Sequence, residues 1–175
     1  MQTRSEVKQA YERYCVEKFI TWMNATRRSQ FEVIEEPDPP EAIIRSNRTV
    51  RWIEIATAFW NNAYAKDLYS RAVGVEVHQP VSPGPYMNMD EALAKRFMRI
   101  LKKKLTHRPY IPFKERYGQG YLLISIEHPF YTDTTLDFMR EAYHEDPPTS
   151  DLGCFRSIYL LVQAQNTKRI RRWMA

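Results

Sequence analysis

Glu41 and Glu54 are the residues of this chain whose types and spacing point most directly to chemistry. Glu41 follows Pro40 and opens the extended run EAII (41–44), and Glu54 lies near the end of the next run, TVRWIEI (49–55). The turn signal Ser46-Asn47-Arg48 between them predicts a hairpin, and paired strands lie about 4.8 Å apart. Two carboxylates brought together raise each other's proton affinity unless positive charge sits between them. A divalent cation such as Mg²⁺, with Mn²⁺ as a substitute, meets that need, because it is hard and takes oxygen ligands while keeping several waters. A cation held this way polarises a phosphodiester and generates a hydroxide nucleophile. Each acid also has a structural alternative: Glu41 as a solvent-facing acid at a turn, Glu54 as the partner of Arg48 or Arg51 across the hairpin.

The basic residues supply the complementary feature. Lys102, Lys103, Lys104 and Arg108 form one group, and Arg169, Arg171 and Arg172 beside Lys168 form another near the end of the chain. Such runs are either solvated faces or contacts to phosphate, and phosphate contact makes affinity fall steeply with salt. Trp173 beside the arginines is placed to stack on a base or to cover the end of the core. The four histidines (His78, His107, His128 and His144) show no HxxxH or HExxH spacing, so no zinc site is expected. No GxSxG or GxxxxGK[ST] run occurs, which removes the usual esterase and P-loop readings. Cys15 and Cys154 lie far apart without a CxxC, which excludes a disulfide scaffold and a zinc ribbon and leaves two buried thiols.

These residues need elements to carry them. Tyr11, Cys15, Phe19 and Trp22 recur at helical spacing and predict a helix over 6–23, capped by Ser5. FEVIEE (31–36) reads as a strand that the prolines at 37, 39 and 40 end. The strands of the Glu41–Glu54 hairpin follow. Thr57 is expected to cap a helix carrying Trp60, Tyr64, Leu68 and Ala72 and stopped by Gly74. A loop is expected over 75–87, a long helix over 90–105 with Leu93, Phe97, Ile100, Leu101 and Lys104 on one side, and a loop over 106–119. The run YLLISI (121–126) predicts a buried strand. A short helix (134–144), a last strand (155–162) and a basic C-terminal tail (163–175) complete the chain. The order α-β-β-β-α-α-β-α-β predicts an α/β fold: a mixed central sheet flanked by helices on both faces. No glycine-rich turn follows a first strand, so a dinucleotide-binding fold is disfavoured.

The chain has 175 residues, 43% hydrophobic and 27% charged, which suits one domain over 1–175 and is too apolar for disorder. No apolar run reaches the roughly 18 residues of a membrane helix, and the first residues are polar and helix-periodic, unlike a secretory signal. A cytoplasmic protein without membrane contact is the expectation. The net charge of +5 suits a polyanionic partner without demanding one.

The run Pro40-Glu41-Ala42-Ile43-Ile44, followed by Trp52-Ile53-Glu54-Ile55-Ala56, resembles the PD-(D/E)XK nuclease superfamily. Its pattern is Pro-Asp at a strand start, then an acid, any residue and a lysine on the next strand. The element order, a helix and then three strands, is similar as well, and so is a helix ending in a lysine cluster before a Leu-Leu-Ile strand. The resemblance spans roughly 6–162 and implies a restriction-endonuclease-like fold and Mg²⁺-dependent hydrolysis of phosphodiesters. Glu41 stands at the metal-binding aspartate and Glu54 at the second metal-binding acid. Ala56 falls on the lysine position, where alanine neither orients nor activates water. The resemblance suggests Lys66, on the following helix, as a migrated substitute, and Glu12 as the acid contributed by the first helix, Glu17 pointing away. Asp38 offers an alternative Pro-Asp reading that would bury Pro39 and Pro40 inside the strand.

The expected function is action on nucleic acid, with DNA as the expected partner, Glu12, Glu41, Glu54 and Lys66 as catalytic residues, and the basic residues on the phosphate backbone. Two rivals belong to other classes: a non-catalytic nucleic-acid- or protein-binding module on the same fold, and a subunit of a larger assembly, homo-oligomeric or otherwise, with exposed Tyr and Trp at an interface.

Overall fold

The computed structural model describes residues 3–27, 29–47, 49–61, 63–65, 87–148, 152–164 and 167–173. Helix α1 (Arg4–Arg27) opens the chain, and strands β1 (Glu32–Glu35), β2 (Ala42–Ser46) and β3 (Thr49–Phe59) follow. Helix α2 (Met89–Leu105), a 3₁₀ turn (Arg108–Tyr110), helix α3 (Ile111–Tyr117) and strand β4 (Gly120–Glu127) come next. Helix α4 (Asp133–Glu145) and strands β5 (Phe155–Ala164) and β6 (Thr167–Arg172) end the described chain.

The six strands form one mixed sheet in sequential order, β1 to β6. The first three pair antiparallel, β3–β4 and β4–β5 are parallel, and β6 returns antiparallel along β5. Alternation divides the strand residues between two cores. On one face α1 lays Cys15, Phe19 and Met23 over Ile53, Ile55, Leu123 and Tyr159. On the other, α2 and α4 bring Leu93, Phe97, Leu101 and Met139 against Trp52, Leu122, Ile124 and Ile158. Strands β4 and β5 are covered on both sides and read as nearly continuous apolar runs for that reason. This is the expected α/β arrangement of a mixed sheet between helices.

Several local expectations need correction. Helix α1 is capped by Thr3, not Ser5: Glu6 N–H donates to Thr3 Oγ1 (3.2 Å), and Thr3 N–H donates to Glu6 Oε2 (2.6 Å), a reciprocal capping box. Thr57 caps no helix. Strand β3 runs on to Phe59, with Thr57 opposite Ser125, because a parallel neighbour supplies ladder partners that local propensity does not foresee. Residues 63–65 are helical, and Leu68, Ala72 and Gly74, with residues 75–86 of the loop expected over 75–87, lie outside the described residues. The expected loop at 106–119 contains the 3₁₀ turn and α3, with Pro109 and Pro112 in their first turns, where a missing N–H breaks no bond. The basic tail is strand β6. Its period of two turns Ile170 toward the α1 core and Trp173 into the opposite one, and its lysine and arginines keep this edge strand soluble.

Candidate functional site

Strands β2 and β3 position the two acids. Their pairing runs from Ser46↔Thr49 to Ala42↔Ile53, and one further step brings Glu41 opposite Glu54. Before Glu41 the chain turns tightly, with Asp38 N–H donating to Pro40 C=O at 3.0 Å and Asp38 at φ 39°. Glu54 alternates with Trp52 and Ala56 on the α2 face and is buried in mid-strand, not near the strand's end, because β3 extends to Phe59.

An ionised carboxylate at this depth needs a partner. Lys104 provides it from the last turn of α2, with Nζ donating to Glu54 Oε1, the lysine side chain 22% exposed and the glutamate side chain 2%. The same ammonium lies 5.9 Å from the ring centroid of Tyr110. The second oxygen, Glu54 Oε2, is buried without a hydrogen-bond partner. Glu41 Oε2 accepts the Ile55 N–H at 2.8 Å. Burial, and then the Glu54 carboxylate, push Glu41 well above the usual carboxylate range, opposed by the Ile55 amide and by Lys104. Burial and the Glu54 and Glu41 carboxylates likewise keep the Tyr110 phenol protonated. This is the pattern of two carboxylates buried side by side.

Glu12 approaches from α1. It is paired with Lys8 at 3.1 Å and its side chain is 12% exposed, whereas Glu17 is exposed. Burial raises its proton affinity first; Lys8 opposes this, and Asp38 and Glu54 reinforce it. Glu12, Glu36, Asp38 and Glu41 line one small cleft of about 100 Å³ with Gln9 and Arg13. Glu12, Glu41 and Glu54 therefore belong to one electrostatic neighbourhood. Ala56 sits on the same face of β3 as Glu54 and carries no charge into it. Lys66 lies outside the described residues, as does Arg48. Arg51, the other structural partner considered for Glu54, instead donates to Tyr117 C=O at 3.1 Å.

Among the described residues, no group of three or more His, Cys, Asp or Glu side chains is arranged to hold a metal ion. Two carboxylates suffice for Mg²⁺ when water and substrate phosphate complete its shell. The donor set fits such an ion in chemistry: both acids offer oxygen, Glu54 Oε2 is a buried acceptor without a hydrogen-bond partner, and burial and the Glu54 charge raise the proton affinity of Glu41, which a cation would oppose.

The basic residues separate. Lys102 is paired with Asp146, Lys104 turns inward to Glu54, and Lys103 and Arg108 are exposed. Arg169 is exposed, Arg171 donates to Asp133 at 3.2 Å and Arg172 to Ser157 at 3.3 Å. Lys168 donates to Glu127 (2.9 Å) and to the Tyr11 hydroxyl (2.7 Å) on the α1 side. Of these, Lys104 alone reaches the acid pair, and sequence reasoning had given it to phosphate. Its signal was a single lysine in the apolar stripe of Leu93, Phe97 and Leu101. Tyr110, the other missed neighbour, lay within an expected loop.

Compared with protein-family models, curated proteins and solved structures, the chain matches none of them.

Proposed function

We propose that the chain is a PD-(D/E)XK-like protein of restriction-endonuclease-like fold that hydrolyses phosphodiester bonds in nucleic acid at the Glu41–Glu54 pair. One observation carries this reading: two carboxylates adjoin, one of them with a buried oxygen that accepts no hydrogen bond, beside Lys104 at Glu54 and with Lys8 acting on Glu41 from α1. The order of helix, three antiparallel strands, helix and strand supports it as well. Glu41 and Glu54 would hold Mg²⁺, which when bound polarises phosphate oxygens and lowers the pKa of its water. Lys104, already at Glu54, stands in for the lysine that Ala56 does not provide, in place of Lys66. Its ammonium offers charge where negative charge develops at phosphorus. Glu12 keeps the cleft side of the pair acidic, and Lys103 and Arg108 offer exposed charge to the backbone.

The test is incubation with plasmid, linear and single-stranded DNA and with RNA, in Mg²⁺ or Mn²⁺. The expected result is cleavage that disappears in Glu54→Gln and Glu41→Gln. Intact substrates together with no metal-binding heat in calorimetry would end the enzyme reading.

A second reading, a non-catalytic nucleic-acid- or protein-binding module, is favoured by the Lys104–Glu54 ion pair, which already neutralises one acid. Salt-sensitive DNA binding that Mg²⁺ leaves unchanged, without cleavage, would establish the nucleic-acid form of it.

A further inference from the structure

A second polar cleft lies two strands away from the acid pair. It has a volume of about 430 Å³ and opens between α4 and the end of β6. Arg140 from α4 and Arg171 and Arg172 from β6 border it, with Asp133 on its wall and Asp137 paired to Arg140. Their present contacts are long single bonds: Arg171 to Asp133 at 3.2 Å, Arg140 to Asp137 at 3.3 Å and Arg172 to Ser157 at 3.3 Å. Each guanidinium has five N–H donors, so donors are left over. Trp173 also lines the cleft. It is buried, and its Nε1–H has no acceptor among the described residues. A buried donor without an acceptor is uncommon in a folded protein and asks for one from outside.

We propose that this cleft binds a phosphate group, with Arg140 and Arg171 as its fork-shaped donors and the Trp173 indole N–H as a third. Planar guanidinium groups match the spacing of phosphate oxygens, and Arg140 and Arg171 each spend one long bond on a carboxylate, Asp137 and Asp133, which leaves further N–H donors for an anion. The site is separate from the proposed hydrolytic one. The backbone amide of Trp173 donates to Ile158 C=O at 2.9 Å, and Ile158 aligns with Leu122, which aligns with Glu54. The two sites therefore share a row of the sheet, about 14 Å apart by strand spacing. The phosphate can be a free phosphate ester or part of a nucleic-acid backbone.

The test follows the indole N–H resonances of the full-length protein by ¹H–¹⁵N NMR, with Trp173 assigned by Trp173→Phe or, if that variant fails to fold, by contacts to Phe97 and Tyr143. Inorganic phosphate and a short oligothymidylate with hydroxyl ends are titrated separately at constant ionic strength. A saturable Trp173 shift with inorganic phosphate identifies a site for free phosphate; a shift with the oligonucleotide alone identifies a backbone site. In either case Arg140→Ala/Arg171→Ala weakens binding at least tenfold, and Glu54→Gln leaves it unchanged, so this site stands or falls independently of the hydrolytic one. A Trp173 resonance that moves with neither probe, or that moves equally in the double variant, overturns the proposal.

Discussion

At the scale of single residues, the burial of Glu54 governs its neighbours. Its charge is tolerable because Lys104 reaches it from α2, and removing one member of a buried pair typically costs about 3–5 kcal/mol. Lys104→Met is expected to lose stability of that order in urea denaturation. Adding Glu54→Gln should recover a large part of the loss, since the pair then acts as a unit; additive effects would show that the two side chains are energetically independent. Glu41 carries the opposite sign. Its folded-state pKa is raised, so its contribution to stability is complete below the unfolded value of about 4.3. That contribution is lost as pH rises through the folded value. Glu41→Gln keeps an oxygen for the Ile55 amide and removes the charge. Its melting temperature should exceed the wild type at pH 8, and the difference should close near pH 4. Mg²⁺ should stabilise the wild type more at pH 8 than at pH 5 and leave Glu41→Gln unaffected. A Mg²⁺ effect equal in both proteins would place the ion elsewhere.

At the scale of elements, the hairpin and the start of β4 hold the site in register. Trp52, two residues before Glu54 on the same face, donates its indole N–H to Gly118 C=O at 2.9 Å and lies against Tyr110 and Phe155. Gly120 opens β4 directly beneath that ring: a Cβ there would lie 2.3 Å from Trp52 Cδ2. Gly120→Ala must therefore displace a fully buried indole, and overpacking of this kind costs about 1–3 kcal/mol. The expected outcome is a lower urea midpoint with a changed near-ultraviolet aromatic signal. A variant that keeps both would show that Trp52 has room to shift. Because Trp52 and Glu54 share a strand face, the same substitution should weaken any metal binding at the acid pair.

At the scale of the whole molecule, the charge of +5 is spread over several small groups, many of them already matched with acids. Nucleic-acid binding by such a surface should show a modest salt dependence. Each phosphate contact contributes about 0.9 to the slope of log K against log salt on duplex DNA. Lys103→Ala should lower that slope by about one contact, while Lys102→Ala, whose lysine is held by Asp146, should change it little. Equal effects of the two substitutions would mean that the Asp146 pair opens on binding. No described helix is long and apolar enough to cross a membrane.

Most elements were legible because their signals are local. The stripe of Cys15 and Phe19 places α1 on the sheet, the prolines separate β1 from β2, and LLISI marks a doubly covered strand. The pairing of Glu41 with Glu54 followed from a hairpin, a contact across few residues. The Thr3 cap and the helix at 111–117 were missed on local signals, and the larger misses depend on partners distant in the chain. Strand β3 passes Thr57 because β4 lies alongside it, and the basic tail becomes β6 because β5 offers it an edge. Lys104 meets Glu54 across fifty positions because α2 crosses the face where β3 buries its acid. Periodicity reports which face of an element is apolar, so composition and spacing were enough for the layers and for the acid pair. Which cation serves a buried carboxylate depends on how two elements cross in space, and only their packing settles that.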